Sequence, residues 1–214
     1  MDILIIPGFT GYPEEVTFKE LGEELQATGH IVTKIAWPHI PDKMSKYSFS
    51  ETIATARATL NAIESKELII LGFSMGGIIA TLLATEFPPK KLGLIVSPYQ
   101  VGSEYDLAGK YKEWKETGYR KVTSSKFGEL SIPFSFIEDA QEYNAIDYIQ
   151  NVTCPVLFVV GEEDEKVPMS VTRKIFDKAN APKEWCQIPE MEHKYQYQPK
   201  VLEEVNKVIV EFIS

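Results

Sequence analysis

The chain has 214 residues, a formal net charge of −9 and two cysteines. This length suffices to bury one sizeable core, and two thiols cannot form the disulfide framework of a small secreted protein. The acidic residues are scattered, which argues against nucleic acid or an anionic membrane surface as the main partner. The first apolar run reaches Pro7-Gly8 after four residues, too early for a signal peptide or a membrane span. We therefore expect a soluble, cytoplasmic protein in a reducing compartment.

Strand-like and helix-like patterns alternate along the chain, which predicts an α/β fold with a mostly parallel, buried sheet. The predicted strands cover residues 3–6, 31–35, 68–71, 92–96, 156–160 and 184–188, and Cys154 and Cys186 are both assigned to strands. The first predicted helix begins at Pro13 and ends at Gly29. The second has Ser50 as its cap and Ile53, Ala56, Leu60 and Ile63 on one face, and the helix after Ser74 ends at Pro88-Pro89. Two more helices follow, one over residues 170–179 and a final one with Leu202, Val205, Ile209 and Phe212 on its buried side.

Residues 97 to about 150 interrupt this alternation. The segment is rich in aromatic residues, namely Tyr99, Tyr105, Tyr111, Trp114, Tyr119, Phe127, Phe134, Phe136, Tyr143 and Tyr148. A hairpin is expected across residues 120–132, with its turn near 124–128. We interpret the segment as an insertion in a single domain of residues 1–214. Its aromatic side chains either form a small core of their own or line a pocket for an apolar or aromatic substrate group.

One serine stands between a strand and a helix. Ser74 lies in Gly72-Phe73-Ser74-Met75-Gly76, after the apolar run 68–71 and before an apolar helical stretch. This is the pattern of a nucleophile elbow, in which a tight turn holds the serine in a strained conformation. Glycines are needed around it because strand and helix pack closely there. The alternative is an ordinary Gly-Ser surface turn.

A serine hydroxyl needs a base to take its proton and a third group to orient that base. Of the three histidines, His193 follows the last strand and fits the order serine, acid, histidine. His30 begins the second strand, at the edge of the sheet opposite the elbow. His39 follows the second strand on the correct edge, so a place in the pocket stays open for it.

Carboxylates follow the strand 156–160. Asp164 is the predicted acid, which would accept a hydrogen bond from His193 and fix its tautomer. The neighbouring Glu162 and Glu163 are interpreted as part of a solvated acidic loop.

Acyl transfer also requires donors for the developing oxyanion. The backbone N–H of Met75, directly after the nucleophile, is one candidate. The loop Pro7-Gly8-Phe9-Thr10-Gly11 would supply the other, from Phe9. This loop also has the composition of an ordinary Gly-rich turn.

With these residues, the sequence resembles the serine hydrolases of the α/β-hydrolase superfamily over essentially its full length. Ser74, Asp164 and His193 match the triad of that superfamily in order and position. The resemblance implies an α/β-hydrolase fold with helices on both faces of the sheet and a small cap insertion. The stretch 151–164 is similar to carboxylesterases, monoacylglycerol lipases and serine aminopeptidases. The first loop departs from the family pattern, which often has His-Gly where this chain has Pro7-Gly8.

The expected function is hydrolysis of a small-molecule carboxylic ester through a Ser74 acyl-enzyme. A thioesterase would use the same residues. A peptidase would need a site for a peptide amine, which Glu138, Asp139 and Glu142 could supply, although a solvated helix face is the plainer interpretation. A non-catalytic binding protein on the same fold is a further alternative. No metal-ligand spacing or phosphate-binding loop occurs, so no cofactor and no metal are expected.

Overall fold

The computed structural model describes residues 1–65, 67–102 and 110–214. The strands are β1 Asp2–Ile6, β2 Ile31–Lys34, β3 Leu68–Phe73, β4 Lys91–Ile95, β5 Tyr119–Ser124, β6 Gly128–Pro133, β7 Val156–Gly161 and β8 Lys183–Ile188. The helices are α1 Val16–Ala27, α2 Phe49–Asn61, α3 Met75–Glu86, α4 Lys110–Thr117, α5 Phe134–Ala140, α6 Ala145–Ile149, α7 Met169–Lys178 and α8 Pro199–Ile213, with short 3-10 turns at Met44–Lys46 and Tyr195–Tyr197. The alternation confirms the predicted α/β class.

Within the described residues, six strands form one parallel sheet in the order β2-β1-β3-β4-β7-β8. The chain passes from β1 to one side of the sheet and from β3 to the other. In open parallel sheets a crevice forms at the carboxyl ends of the strands where the order reverses in this way. The fold therefore brings the loop after β1 and the turn after β3 together at that crevice.

Helices cover both faces of the sheet. Alternate strand residues point to opposite sides, so Ile3 and Ile5 pack in the core under α1 and α8, whereas Leu4 and Ile6 pack in the core under α2, α3 and α7. Burial on both faces explains why the central strands are continuous apolar runs. The final helix buries Leu202, Val205 and Ile209 as predicted, and Phe212 is only half-buried.

Two predicted helix starts are wrong. Pro13 does not open α1, because a turn closed by the Glu15 N–H bond to the Tyr12 carbonyl (3.1 Å) precedes the helix, and proline's fixed φ suits the second position of such a turn. The cap of α2 is Ser48, whose hydroxyl accepts from the Glu51 N–H (3.2 Å), rather than Ser50. Both errors place the helix boundary two or three residues from its true position.

Ser50 has a different partner. Its backbone N–H donates to the Asp139 carboxylate (2.7 Å), and its hydroxyl donates to the other oxygen of the same carboxylate. The Tyr143 hydroxyl lies 3.0 Å from the Ser50 hydroxyl. These contacts join the first turn of α2 to α5, in the segment between β4 and β7.

The predicted hairpin is present. Strands β5 and β6 pair antiparallel, with Arg120 opposite Ile132 and Ser124 opposite Gly128. The two cysteines are free thiols, and Cys154 lies in a bend before β7 rather than in a strand. Burial raises the pKa of Cys154 to about 11, so its thiolate is scarce at neutral pH. No described helix has the length and apolarity needed to cross a membrane.

Two helical glycines should respond in opposite directions to alanine. A Cβ at Gly76 would lie 2.3 Å from the Ile6 carbonyl oxygen, and the obstacle is backbone, whereas a Cβ at Gly22 in α1 finds its nearest neighbour at 3.6 Å. Gly76→Ala should cost about 3 kcal/mol or more of unfolding free energy. Gly22→Ala should gain up to about 1 kcal/mol. Chemical denaturation of both variants tests the pair, and equal effects would contradict the packing described for Gly76.

Candidate active site

The turn after β3 holds Ser74 in a strained conformation. Ser74 has φ 51° and ψ −124°, a region that non-glycine residues rarely adopt. Its N–H donates to the Ile95 carbonyl (2.9 Å), and its carbonyl accepts from the Gly77 N–H (2.8 Å). These two bonds fix the turn from both sides, so the hydroxyl points away from the sheet into the crevice.

His193 lies beside that hydroxyl. It belongs to the loop after β8, and its Nε2 is 3.0 Å from Ser74 Oγ. Its Nδ1 is 2.8 Å from Asp164 Oδ2. An ionised carboxylate only accepts hydrogen bonds, so Nδ1 carries the hydrogen and Nε2 presents its lone pair to the Ser74 hydroxyl. The arrangement suits transfer of the serine proton to the imidazole.

The side chain of Asp164 is fully buried, and it is held by two backbone N–H groups and by His193. Oδ1 accepts from the backbone N–H groups of Lys166 (2.9 Å) and Val167 (2.8 Å), while Oδ2 faces His193. Glu162 is exposed and accepts from Gln187 (2.6 Å). Of the acids in this loop that the sequence offered, Asp164 is the one that the structure brings to the histidine.

A glycine at the end of β7 allows the two loops to meet. A Cβ at Gly161 would lie 2.2 Å from the Met191 carbonyl oxygen. That carbonyl accepts a hydrogen bond from the Glu163 N–H (3.1 Å), which ties the Asp164 loop to the His193 loop. Sequence reasoning missed this contact, since a glycine after an apolar run carries no sign of its partner.

Both predicted oxyanion donors line the crevice. Met75 is the first residue of α3, where N–H groups have no acceptor within the helix. Phe9 follows Gly8, whose Cβ position lies 3.2 Å from Ser74 Cβ, so the first loop runs against the nucleophile. The Trp37 indole N–H donates to the Gly8 carbonyl (2.8 Å) and holds this loop, a contact that the sequence did not reveal.

A cavity of about 480 Å³ opens above Ser74. This volume lies within the range of small-molecule sites, about 300–1,000 Å³. Its apolar lining includes Phe9 and Met75 from the core and Trp114, Phe136 and Ile137 from the segment between β4 and β7. Among the described residues, the charged lining consists of Glu15, Arg120, Lys121, Lys166 and Lys194, apart from His193.

The aromatic residues of residues 97–150 divide between two roles. Among the described ones, Trp114 and Phe136 line the cavity. Phe136 also stacks on Tyr47, with ring centroids 4.8 Å apart, and Trp114 packs edge-on against Phe134 at 6.2 Å. Tyr105 lies outside the described residues. Tyr111 packs on Phe134 within the segment, and Tyr143 packs on Phe49 of α2. Both interpretations therefore apply, and Trp114 takes part in both.

The remaining candidates lie elsewhere. His30 directly precedes β2, at the opposite edge of the sheet, and His39 has its Nε2 3.7 Å from a Glu51 carboxylate oxygen; neither lines the cavity. Asp139 is occupied by Ser50. The described part of the chain contains no group of three or more His, Cys, Asp or Glu side chains that could hold a metal ion.

Glu15 is a cavity residue that the sequence did not single out. Its carboxylate accepts from the Gln196 side-chain amide (3.2 Å), in the loop that follows His193. Burial raises the pKa of Glu15 above its ordinary value, and the nearby Lys194 ammonium partly opposes this. The Glu15 carboxylate therefore links the segment between β1 and α1 to the loop that carries His193.

A parallel sheet in this strand order, with a serine at a strained strand-to-helix turn, defines the α/β-hydrolase superfamily, and the protein is one of its serine hydrolases. The sequence profile of the prolyl oligopeptidase family matches residues 36–213, and the chain therefore belongs to that family.

The chain is also similar to known relatives and shares its fold with solved structures. The mitochondrial palmitoyl-protein thioesterase ABHD10 of Rattus norvegicus is 24% identical over 198 residues, which are 84% of this chain and 64% of the relative; the Mus musculus protein is 23% identical. The chain thus spans less than two thirds of the length of these relatives. The structure of mouse α/β-hydrolase domain-containing protein 10 has a TM-score of 0.81 at 20% identity, covering 99% of this chain and 89% of that one. A monoacylglycerol lipase from Paleococcus ferrophilus has a TM-score of 0.80 at 17% identity, covering 99% and 93%.

Replacing Glu15 by glutamine should change how stability depends on pH. A carboxyl whose pKa is raised on folding binds its proton more tightly in the native state, so its contribution to stability is lost as the pH rises through the raised pKa. Glu15→Gln should therefore melt higher, relative to the unmodified protein, at pH 8 than at pH 5. Thermal unfolding at both pH values measures this, with Glu20→Gln on the exposed face of α1 as the control for net charge. A gain that does not depend on pH would contradict the role of burial.

Proposed function

We propose that the protein hydrolyses carboxylic esters through a covalent acyl-enzyme on Ser74. The observation that carries the proposal is the unbroken chain of hydrogen bonds from Asp164 to His193 (2.8 Å) and from His193 to Ser74 (3.0 Å) beneath a cavity. Nucleophile, base and orienting acid then have the geometry that acyl transfer requires.

In the first half-reaction, Ser74 Oγ attacks the ester carbonyl while His193 Nε2 takes the hydroxyl proton. Asp164 orients the imidazole and stabilises its positive charge. The N–H groups of Phe9 and Met75 donate to the carbonyl oxygen as it becomes an oxyanion. When the tetrahedral intermediate collapses, the carbon–oxygen bond to the leaving group breaks, and His193 gives its proton to the departing alcohol.

In the second half-reaction, water replaces the alcohol. His193 takes a proton from the water, the resulting hydroxide attacks the acyl carbonyl, and the bond to Ser74 breaks as the acid is released. The serine recovers its proton from His193. Besides the ester and water, these steps use only residues of the chain, so the proposal involves no cofactor.

Residues 97–150 act in this proposal as a cap on a single hydrolase domain. The support is that Trp114, Phe136 and Ile137 cover the cavity from this segment. Their apolar surfaces suit an ester with an apolar or aromatic group. Est1E from Butyrivibrio proteoclasticus, which has this fold at a TM-score of 0.77 and 20% identity over 99% of this chain and 87% of that one, was solved with ferulic acid bound.

Thioester hydrolysis is the second candidate. The two curated relatives are named as palmitoyl-protein thioesterases, and the same three side chains would attack a thioester. The name of the prolyl oligopeptidase family also suggests peptide hydrolysis as an activity. For that role, however, Asp139 is held by Ser50, and Glu138 and Glu142 do not line the cavity.

A matched set of substrates separates these activities. We expect p-nitrophenyl esters from acetate to palmitate to be hydrolysed, with a chain-length optimum set by the cavity, and Ser74→Ala to lose the activity because it lacks the nucleophile. The same acyl group as a thioester, and prolyl and other aminoacyl arylamides, complete the set. Ser45→Ala removes a serine hydroxyl outside the lining of the cavity and serves as the matched control. Turnover that survives in Ser74→Ala would reject the acyl-enzyme, and no turnover at all would favour a non-catalytic role.

Asp164→Asn tests the acid. The Asn carbonyl oxygen would take the place of Oδ1, which accepts from the Lys166 and Val167 N–H groups. Its –NH2 group would then face His193 Nδ1 and could not accept from it in the tautomer that the serine requires, so kcat should fall by about 10⁴. Glu162→Gln, an exposed acid of the same loop, should retain the activity. The measurement is steady-state kinetics on the best ester of the series. A normal rate in Asp164→Asn would place the acid elsewhere.

A further inference from the structure

The inner face of strand β5 carries an arginine. Along this strand Arg120, Val122 and Ser124 are half-buried or buried, whereas the residues between them are exposed. In a strand, alternate side chains share a face. Arg120 and Val122 both line the cavity above Ser74, so a guanidinium is present where the pattern otherwise puts apolar or small side chains.

The guanidinium rests on a fixed aromatic ring. The guanidinium carbon of Arg120, Cζ, lies 5.7 Å from the centre of the Trp114 ring. Trp114 is buried, and its indole N–H donates to the Ile132 carbonyl (3.1 Å), so the ring cannot turn freely. Stacking on an aromatic face restricts an arginine while leaving the N–H groups at the edge of its plane available to a ligand.

Arg120 has no carboxylate partner among the residues that the structure describes. The neighbouring Lys121, which points to the outer face, is instead paired with Glu129 at 2.7 Å. A guanidinium has five donors and keeps its charge at any relevant pH. A half-buried arginine without an anion beside it is therefore a ready site for one, and carboxylate and phosphate fit its planar fork.

The other charged residues of the cavity also favour an anionic ligand. Apart from the triad and from Lys121, whose ammonium is paired with Glu129 on the outer face, its described lining holds three cationic side chains, Arg120, Lys166 and Lys194, against one carboxylate, Glu15. Glu15 is engaged by Gln196 and by the charge of Lys194. The chain as a whole has a net charge of −9, so this local excess of positive charge runs against its composition.

We propose that Arg120 binds an anionic group, a carboxylate or a phosphate, carried by the substrate that Ser74 attacks. The inference rests on the proposed ester hydrolysis and narrows its substrate class to anionic esters. Arg120 acts as a specificity-determining residue and takes no part in proton transfer.

Matched ester pairs test the inference. In one pair the charge is on the acyl side, with the p-nitrophenyl monoester of adipic acid against p-nitrophenyl hexanoate. In the other it is on the leaving group, with 4-acetoxybenzoate against its methyl ester, and 4-acetoxyphenyl phosphate distinguishes phosphate from carboxylate. The readout is the ratio of kcat/KM for the anionic ester to that for its neutral partner. At least one pair should give a ratio about tenfold higher in the unmodified protein than in Arg120→Gln.

Two further variants sharpen the result. Arg120→Lys keeps the charge and loses the planar fork, so its ratio should lie between those of the unmodified protein and Arg120→Gln. Lys112→Gln removes one positive charge from an exposed position on α4, outside the cavity lining, and should keep the unmodified ratio. Ratios that are equal in the unmodified protein and Arg120→Gln would overturn the inference while ester hydrolysis stands.

Failure of the proposed function gives a different result. If no ester is cleaved, calorimetric binding of 4-acetoxybenzoate and its methyl ester to Ser74→Ala, with and without Arg120→Gln, decides the inference independently of turnover. Tighter binding of the anion that is lost with Arg120 would support the subsite. Equal binding of both compounds, or no effect of Arg120→Gln, would reject it.

Discussion

The close approach of α3 to the carboxyl ends of the sheet is the constraint on which the site depends. At Gly76 the helix touches the Ile6 and Pro7 carbonyls, and at Gly77 a Cβ would lie 1.8 Å from the Ser97 hydroxyl. With side chains at these positions, the helix would have to move away from β1 and β4. The strained turn of Ser74 would then lose its bond to the Ile95 carbonyl, and the hydroxyl would no longer face His193.

Close backbone contact at a glycine also positions Asp164 and His193. Asp164 and His193 lie on loops that follow neighbouring strands, β7 and β8, and Gly161 lets the backbone of those loops meet. The carboxylate is satisfied by two backbone N–H groups and the imidazole, all of which are in place before any substrate binds. Groups that are oriented in advance need little reorganisation when charge develops in a reaction.

The sequence predicted the parts of this arrangement that local patterns encode. The elbow around Ser74 is a run of neighbouring residues, and parallel strands place Asp164 and His193 at the same edge of the sheet by their order alone. The predicted helix starts at Pro13 and Ser50 were wrong, because proline also occurs in turns and because two serines, Ser48 and Ser50, stand near the start of α2. Nothing local indicates that Ser50 meets Asp139, which lies 89 positions further along the chain.

The segment between β4 and β7 is held unevenly, and this affects the cavity beneath it. Its α5 end is fixed by charge-assisted bonds from Ser50 to Asp139 that are partly buried. The tip of its hairpin meets the loop after β1 through an ion pair between Lys126 and Glu14 and a bond between the Tyr12 and Ser125 hydroxyls (3.0 Å), both exposed. Exposed ion pairs contribute about 1 kcal/mol or less. The wall that contains Arg120 is therefore held more firmly on the side of α2 than on the side of the loop after β1.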